Sequence, residues 1–535
     1  MKIFKQKAFH RVSQRRHRET QGHQQLYSLW FSVSPLWFFV FLLFLISCQS
    51  DLLNPPRLAT ATAQSLATAT PTPEPIIIRN GGETAVSASQ TTISGTPTPR
   101  PSLTVWVPET SAAHRQMLDQ LAADFGRDHA VNVEMQLIAP NLLPKLVNTA
   151  VLSGTLPDLI IHPVSLAPGW AARGILNADA ASETIAQLGA ETFDPAALAL
   201  VAKNGRFAAI PSDGAKQLII YRRDWFEQRN LQPPDSYNRL LSTAETLFNR
   251  DALVAGFVVP TESNLIATHK IFEQLANANG CNLIDEKGEV LLLSPECQQA
   301  LDFYFSIISQ YSPLGVQTDT STRNAYLEGR AGLIMTPPTL LLDIAGLGTD
   351  KPSCAECASQ PDFLQQNSAF LTTVGTNGSY SDLTVLGITS VAPPETAVSF
   401  ATYFFNEGYE QWLAVESERK VPLRWGTAVD PRRHLDSWGS QPVTGSGLSL
   451  RDLYGEEAIA QLRDNVAATS RWGLPQGQGE VVTQLYESLT LSIVLQEMLS
   501  GYFNSSQTLQ EMYNRVTGLI PNYQYYPDPT PTPEG

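Results

Sequence analysis

The chain has 535 residues, 43% of them hydrophobic and 16% charged, with a formal net charge of −15. That length exceeds one comfortable hydrophobic core and calls for two lobes or domains plus tails, while the apolar content excludes disorder along the whole chain. The acidic balance argues against nucleic acid as a partner and for solubility near an anionic membrane surface without adhesion to it.

At the N-terminus, Lys2, Lys5, Lys7, Arg11, Arg15, Arg16 and Arg18, opposed only by Glu19, precede an apolar run from Leu29 to Ile46. A basic stretch before an apolar core that ends in small residues is a secretory signal, and its cationic end stays cytoplasmic. The run closes on Leu45-Ile46-Ser47-Cys48, which resembles the bacterial lipobox. That resemblance implies a signal peptide over residues 1–47, lipid on Cys48, and a mature chain anchored to the outer face of the cell membrane. The rival is an uncleaved spanning helix, because the run approaches the ~20 residues that cross a bilayer. The small residue followed by Cys favours the lipoprotein, and either reading puts residue 49 onward outside the cytoplasm. Removal of residues 1–47 leaves 29 basic and 50 acidic groups.

Residues 48–101 form a Thr/Pro-rich tract, expected as a disordered linker that contains Thr70-Pro71-Thr72-Pro73 and Thr96-Pro97-Thr98-Pro99. Proline-rich segments of this kind are extended spacers at ~3.1 Å per residue, so the tract could hold a domain up to about 150 Å from the membrane. A shorter echo makes residues 521–535 a disordered Pro/Thr tail.

Folding is expected from residue 102. Leu103–Val107 reads as a strand, Met117, Leu118, Leu121, Ala122 and Phe125 share a helix face, and Val131–Leu137 alternates as a second strand. A helix around Leu143–Leu152 leads to Pro157–His162, an apolar run of the kind buried in parallel sheets. This alternation marks an α/β lobe, whose ligands gather at the carboxyl ends of its strands. Further on, Tyr237–Asn249, Leu265–Asn279, Pro295–Tyr311 and Ala397–Val415 carry helical spacing.

With Cys48 assigned to lipid, four cysteines remain in a compartment that permits disulfides. Cys281 and Cys297 flank a hairpin-like stretch that a bridge could staple. Cys354 and Cys357 form a C-x-x-C. That spacing also serves redox and zinc sites, but no second Cys or His pair stands near enough to complete a tetrahedral set. A structural loop disulfide is the preferred reading.

Several segments then fall in a familiar order: Leu103-Thr104-Val105-Trp106; Gly154-Thr155-Leu156-Pro157-Asp158; Gly205-Arg206-Phe207-Ala208-Ala209-Ile210-Pro211; and Leu218 to Phe226 with its turn at Pro233-Pro234. Tyr326 to Met335, Leu386 to Ala401 and Lys420 to Arg424 continue it. Together they resemble family 1 extracellular solute-binding proteins, the group containing the maltose-binding type. The resemblance implies an α/β fold of the type II periplasmic-binding-protein kind, with two lobes joined by a hinge around an interlobe cleft. Lobe 1 would take residues 102–211 and 378–420, and lobe 2 residues 212–377 and 421–520. It implies a non-enzymatic capture subunit of an ABC importer that takes up a small polar solute, a sugar or oligosaccharide by preference, with a non-sugar solute or a surface sensory role on the same fold as the alternatives. The other expected partners are the permease subunits and the membrane lipid. A monomer without cofactor or metal is expected.

Sugars present hydroxyl edges and flat aliphatic faces, so their sites pair aromatic platforms with planar polar groups. Matching the family's spacing places His162 and Ser165 after a sheet strand and Trp170 on the helix that follows. The same matching puts Asp213 and Lys216 in the first crossing between lobes, Thr261 and Thr336 after strands, Trp472 in a late loop of lobe 2, and Trp106 at the end of the first strand. Trp106 and Trp170 serve equally as packing residues, and His162 as a satisfied buried histidine. Many sugar binders of this family carry an acid shortly after the third strand, where this chain has Pro163-Val164-Ser165. An anchored glycosidase is the enzymatic rival, yet no H-E-x-x-H, G-x-S-x-G or phosphate loop is present.

Overall fold

The computed structural model describes residues 100–443 and 446–523. The expected signal segment, Cys48, the linker up to residue 99 and the tail beyond Tyr523 lie outside the described residues. Among those described, no helix is long and apolar enough to cross a membrane.

Among the described residues, twelve strands form three sheets. They are β1 (Ser102–Val107), β2 (Asn132–Leu137), β3 (Leu159–Pro163), β4 (Ala202–Lys203), β5 (Arg206–Phe207), β6 (Ile210–Lys216), β7 (Leu218–Arg222), β8 (Ala255–Val258), β9 (Ala331–Thr336), β10 (Ser368–Leu371), β11 (Ser381–Ile388) and β12 (Val421–Pro422). The first sheet runs β12-β6-β11-β3-β1-β2, the second runs β10-β7-β9-β8, and β4 with β5 makes a small hairpin. β1 lies parallel to β2 and β3, whereas β11 inserts antiparallel between β3 and β6. In the second sheet β8 and β9 are parallel, and β7 runs against both β9 and β10.

Alternation along the strands sets the layers. Leu159 and Ile161 of β3 pack with Phe125, Ile185, Phe400 and Trp412 beneath the helices Ala112–His129, Ala178–Leu188 and Pro394–Tyr403, while Ile160 turns to the opposite face. In β7, Ile219 and Tyr221 face the helices Tyr237–Leu247, Ile266–Ala278 and Pro295–Tyr311, and Leu218 and Ile220 face away from them. The inner faces of the two sheets share one apolar cluster that includes Ile160, Val385, Ile220 and Ile334. Helix ends follow their caps: Ser294 accepts the Cys297 N–H ahead of Pro295, and Thr318 with Ser321 closes a reciprocal box on the helix Asp319–Leu327.

The spacing over Ala397–Val415 predicts one helix. The structure instead has Pro394–Tyr403, a π-helical turn at Phe404–Gly408 and a helix at Tyr409–Ala414. The buried guanidinium of Arg424 donates through Nη1 to the Phe405 carbonyl at 2.6 Å and to Asn406 Oδ1 at 3.0 Å, holding polar groups that the widened turn offers. Both cysteine pairs are bonded, Cys281 to Cys297 and Cys354 to Cys357.

The chain passes between the sheets at closely grouped points. A single residue, Gln217, separates β6 from β7, and its N–H donates to the Tyr380 carbonyl at 2.9 Å just ahead of β11. The expected lobe boundary at 211/212 falls inside β6, because the β6 ladder with β11 continues to Lys216. Residues 421–422, expected in lobe 2, form β12 on the edge of the first sheet because they pair with Asp213 and Gly214 of β6. Later, Val466 and Ala467 belong to the shared cluster and Trp472 to the core of the second sheet.

Candidate functional site

A cavity of about 480 Å³ opens between the two sheets. From the first-sheet side come Leu143 and Lys145 at the start of the helix Leu143–Ser153, Pro163 at the end of β3, Ala215 of β6, and Asp382 and Thr384 of β11. From the second come Pro260 after β8, Ile266 and Lys270 of the helix Ile266–Ala278, Asp319 and Arg323 of the next short helix, and Thr336 closing β9. Gln217, the residue of the first crossing, lines it as well. A solute here touches both sheets, and only such a ligand favours a closed arrangement of two bodies over an open one.

Charges bridge the gap. Lys270 Nζ lies 2.6 Å from Asp382 Oδ1, joining a second-sheet helix to a first-sheet strand. Arg323 pairs with Asp343 behind the cavity, and Arg419 lies 2.6 Å from both Glu109 and Glu416. Glu487, also on the wall, accepts the Trp170 indole N–H at 2.8 Å and is paired with Arg173. Desolvation within the cleft pushes the Asp319 carboxyl up, with Arg323 and Lys270 acting in the opposite sense.

A much smaller pocket, about 10 Å³, adjoins this cavity, and Pro163, Asp382 and Tyr486 line both. By volume it holds about one water-sized group. Its walls include Ser165, Glu273, Tyr380, Arg471 and Trp472. The Tyr380 and Tyr486 hydroxyls hydrogen-bond to each other at 2.7 Å, and burial raises both phenols well above their usual range. Glu273 accepts the Trp472 backbone N–H at 2.6 Å, and its other oxygen lies 3.4 Å from His269 Nε2.

The residues expected to contact the solute divide sharply. Thr336 lines the main cavity, and Ser165 and Trp472 line the small pocket. The others point elsewhere. Asp213 is buried, accepting the Trp412 indole N–H at 2.7 Å and the Ser212 hydroxyl at 2.7 Å, so its carboxylate serves the first-sheet core. Lys216 donates to the Gln461 carbonyl at 2.8 Å, and burial lowers its amine pKa. His162 stacks obliquely on Trp170 with centroids 4.8 Å apart, and burial pulls its pKa to about 4. Trp170 is wholly buried and reaches the cavity only through Glu487, while Trp106 donates to Gln136 on the neighbouring strand at 2.8 Å. The Thr261 hydroxyl accepts the Gln317 N–H at 2.9 Å.

Sequence reasoning missed Arg471, Glu273, Tyr380, Lys270 and Tyr486. Arg471 adjoins Trp472, which was singled out, and a cation beside a binding aromatic is the one local signal that was available.

A family model described as bacterial extracellular solute-binding protein matches residues 120–415. Escherichia coli (strain K12) YcjN, named for an ABC transporter periplasmic-binding role, is 22% identical over 415 residues, spanning 76% of this chain and 89% of that protein. Among solved structures, an ABC transporter solute-binding protein from Thermotoga lettingae TMO bound with alpha-D-tagatose superposes with a TM-score of 0.60 at 18% identity, covering 78% of this chain and 99% of that one. Another from Agrobacterium radiobacter K84, in complex with ribitol, gives 0.61 at 17% identity with the same coverage. These likenesses establish the type II periplasmic-binding-protein fold with its two α/β lobes. The cleft between two crossed-over sheets and the family match over more than half the chain give one conclusion: the chain belongs to the bacterial extracellular solute-binding proteins, an extracytoplasmic family that binds rather than transforms its solutes.

Proposed function

We propose that this protein captures a small polar solute of the sugar or polyol class in the interlobe cleft and delivers it to the permease of an ABC importer. The observation that carries the reading is the cavity of about 480 Å³ walled by both sheets and set against the crossings, a volume within the roughly 300–1,000 Å³ of small-molecule sites. The names of the similar proteins support the solute class. In this reading Cys48 carries lipid, residues 48–101 tether the lobes to the membrane, and the protein acts as a monomer. Lobe 1 follows the first sheet and lobe 2 the second. Ser165, Thr336 and Trp472 remain as solute contacts.

A thermal-shift screen of the full-length chain over sugars and polyols tests this. A solute at 100 times its dissociation constant adds about 2.7 kcal/mol, and at least one member is expected to raise the midpoint. A flat response across the panel overturns the assignment. Mass spectrometry of membrane-extracted chain tests the anchor: a diacylglyceryl adduct at Cys48 is expected, and an intact residue 1–47 segment overturns it.

A further inference from the structure

The small pocket beside the cleft contains a buried cation without an acid. Arg471 is only 7% exposed. Among the described residues no carboxylate lies within ion-pair distance of it, and its Nη2 donates only to the neutral Ser381 carbonyl at 3.2 Å and the Thr469 hydroxyl at 3.3 Å. Its Nε has no partner. Ser165, 4% exposed on the facing wall, likewise has a hydroxyl without a partner. The nearby acids are already engaged, Glu273 by the Trp472 N–H and His269, and Asp382 by Lys270. Beyond these contacts the guanidinium has, among the described residues, only the Tyr380 ring, 5.8 Å away; a buried charge without a counter-ion is costly, and a site that keeps one gains most when a ligand supplies the counter-charge.

We infer that the solute is an acidic sugar, a uronic or aldonic acid, whose carboxylate engages Arg471 and Ser165 at the inner pocket while its hydroxyl-bearing body lies in the main cavity. The room for about one water-sized group suits a single carboxylate oxygen and is too small for the spread of terminal oxygens on a phosphate. The walls shared by the two pockets at Pro163, Asp382 and Tyr486 supply the path between head and body. Hydroxyls of the body meet the Asp319 carboxylate, which has no hydrogen-bond donor among the described residues, and Lys145, both on the cavity wall. A guanidinium stays charged where a buried ammonium would shed its proton, and this favours Arg over Lys as the buried partner of a single carboxylate oxygen.

This inference rests on the proposed capture of sugar-like solutes, and matched pairs separate the two. Calorimetric titration of the full-length chain compares D-glucose with D-glucuronate, D-galactose with D-galacturonate, and D-glucose 6-phosphate as the phosphate arm. The acid of at least one pair is expected to bind tighter than its neutral partner by about tenfold or more, the scale of a charge-assisted hydrogen bond. Arg471→Gln is expected to erase that preference, with Ser165→Ala reducing it. Neutral members binding as well as or better than their acids would overturn the acidic assignment and leave sugar capture standing, as would tightest binding by the phosphate. Silence from every member while the wider sugar and polyol screen responds would likewise overturn the acidic assignment alone, and silence in that screen as well would overturn both. An acid preference that survives in a folded Arg471→Gln protein would overturn the role of Arg471.

Discussion

Lys420 shows how far a single ionisable residue can be drawn from its solution chemistry. Its amine is wholly buried, donating to the Trp412 carbonyl at 3.0 Å, lying 3.5 Å from the centre of the Trp412 ring and 2.7 Å from His114 Nε2. Burial first, and the neighbouring Arg419 second, bring its pKa from 10.5 to about 7. Between those values the unfolded chain binds more protons than the folded one, so stability rises with pH across that window and the full cost of the buried cation is present below about pH 7. His114, lowered to about 2 chiefly by burial, stays neutral in the fold, so its contribution falls away as pH drops below 6.5. Lys420→Met is expected to flatten the alkaline rise, removing a gain on the order of a few kcal/mol between pH 7 and 10. Chemical denaturation as a function of pH checks this, and equal slopes in both proteins would refute it. Asp213 gives a contrasting case. Asp213→Ala strands the Trp412 indole and the Ser212 hydroxyl and should cost about 1–3 kcal/mol. Solute affinity in calorimetry should stay unchanged, because the carboxylate faces away from the cavity.

At the scale of elements, close approach and covalent closure carry the strongest expectations. A Cβ on Gly256 would sit 1.9 Å from the Ala244 carbonyl oxygen, so β8 lies directly on the helix Tyr237–Leu247 with no room for a side chain. Gly256→Ala must push strand and helix apart and should destabilise by about 1–3 kcal/mol, read as a lowered denaturation midpoint. The Cys281–Cys297 bridge spans 16 residues and Cys354–Cys357 only 3. On the chain-entropy account the longer loop contributes about 3 kcal/mol and the shorter about 2, so Cys297→Ser should lower the midpoint more than Cys357→Ser. Elements were also where the sequence was most readable. The helix Pro295–Tyr311 has the bounds its apolar spacing implies, and β3 is the buried run that Leu159-Ile160-Ile161 suggests. The site was less readable, for a physical reason. A polar residue in an apolar run signals that something satisfies it without saying what, and the partner of Asp213 is Trp412, far along the chain. Arg471 had the opposite problem, since nothing local reveals that a charge lacks a counter-ion.

For the whole molecule the decisive question is what holds the lobes together before solute arrives. The Lys270–Asp382 pair crosses the cleft at 2.6 Å, with Lys270 largely covered and Asp382 45% exposed. A partly solvated pair of that kind is worth about 1 kcal/mol at most. It therefore biases a closed arrangement without locking it, leaving the larger share of the closing energy to the solute. Asp382→Asn should shift the solute-free protein toward an open state, raising its radius of gyration in small-angle scattering, and saturating solute should restore the compact value. Apparent affinity should weaken by no more than about fivefold, because the ligand must then supply the closing energy that the pair contributed. High salt should do the same to the native protein and little to the variant. Unchanged scattering with a much larger loss of affinity would instead make Asp382 a direct contact of the solute and remove the ion pair from the account of closure.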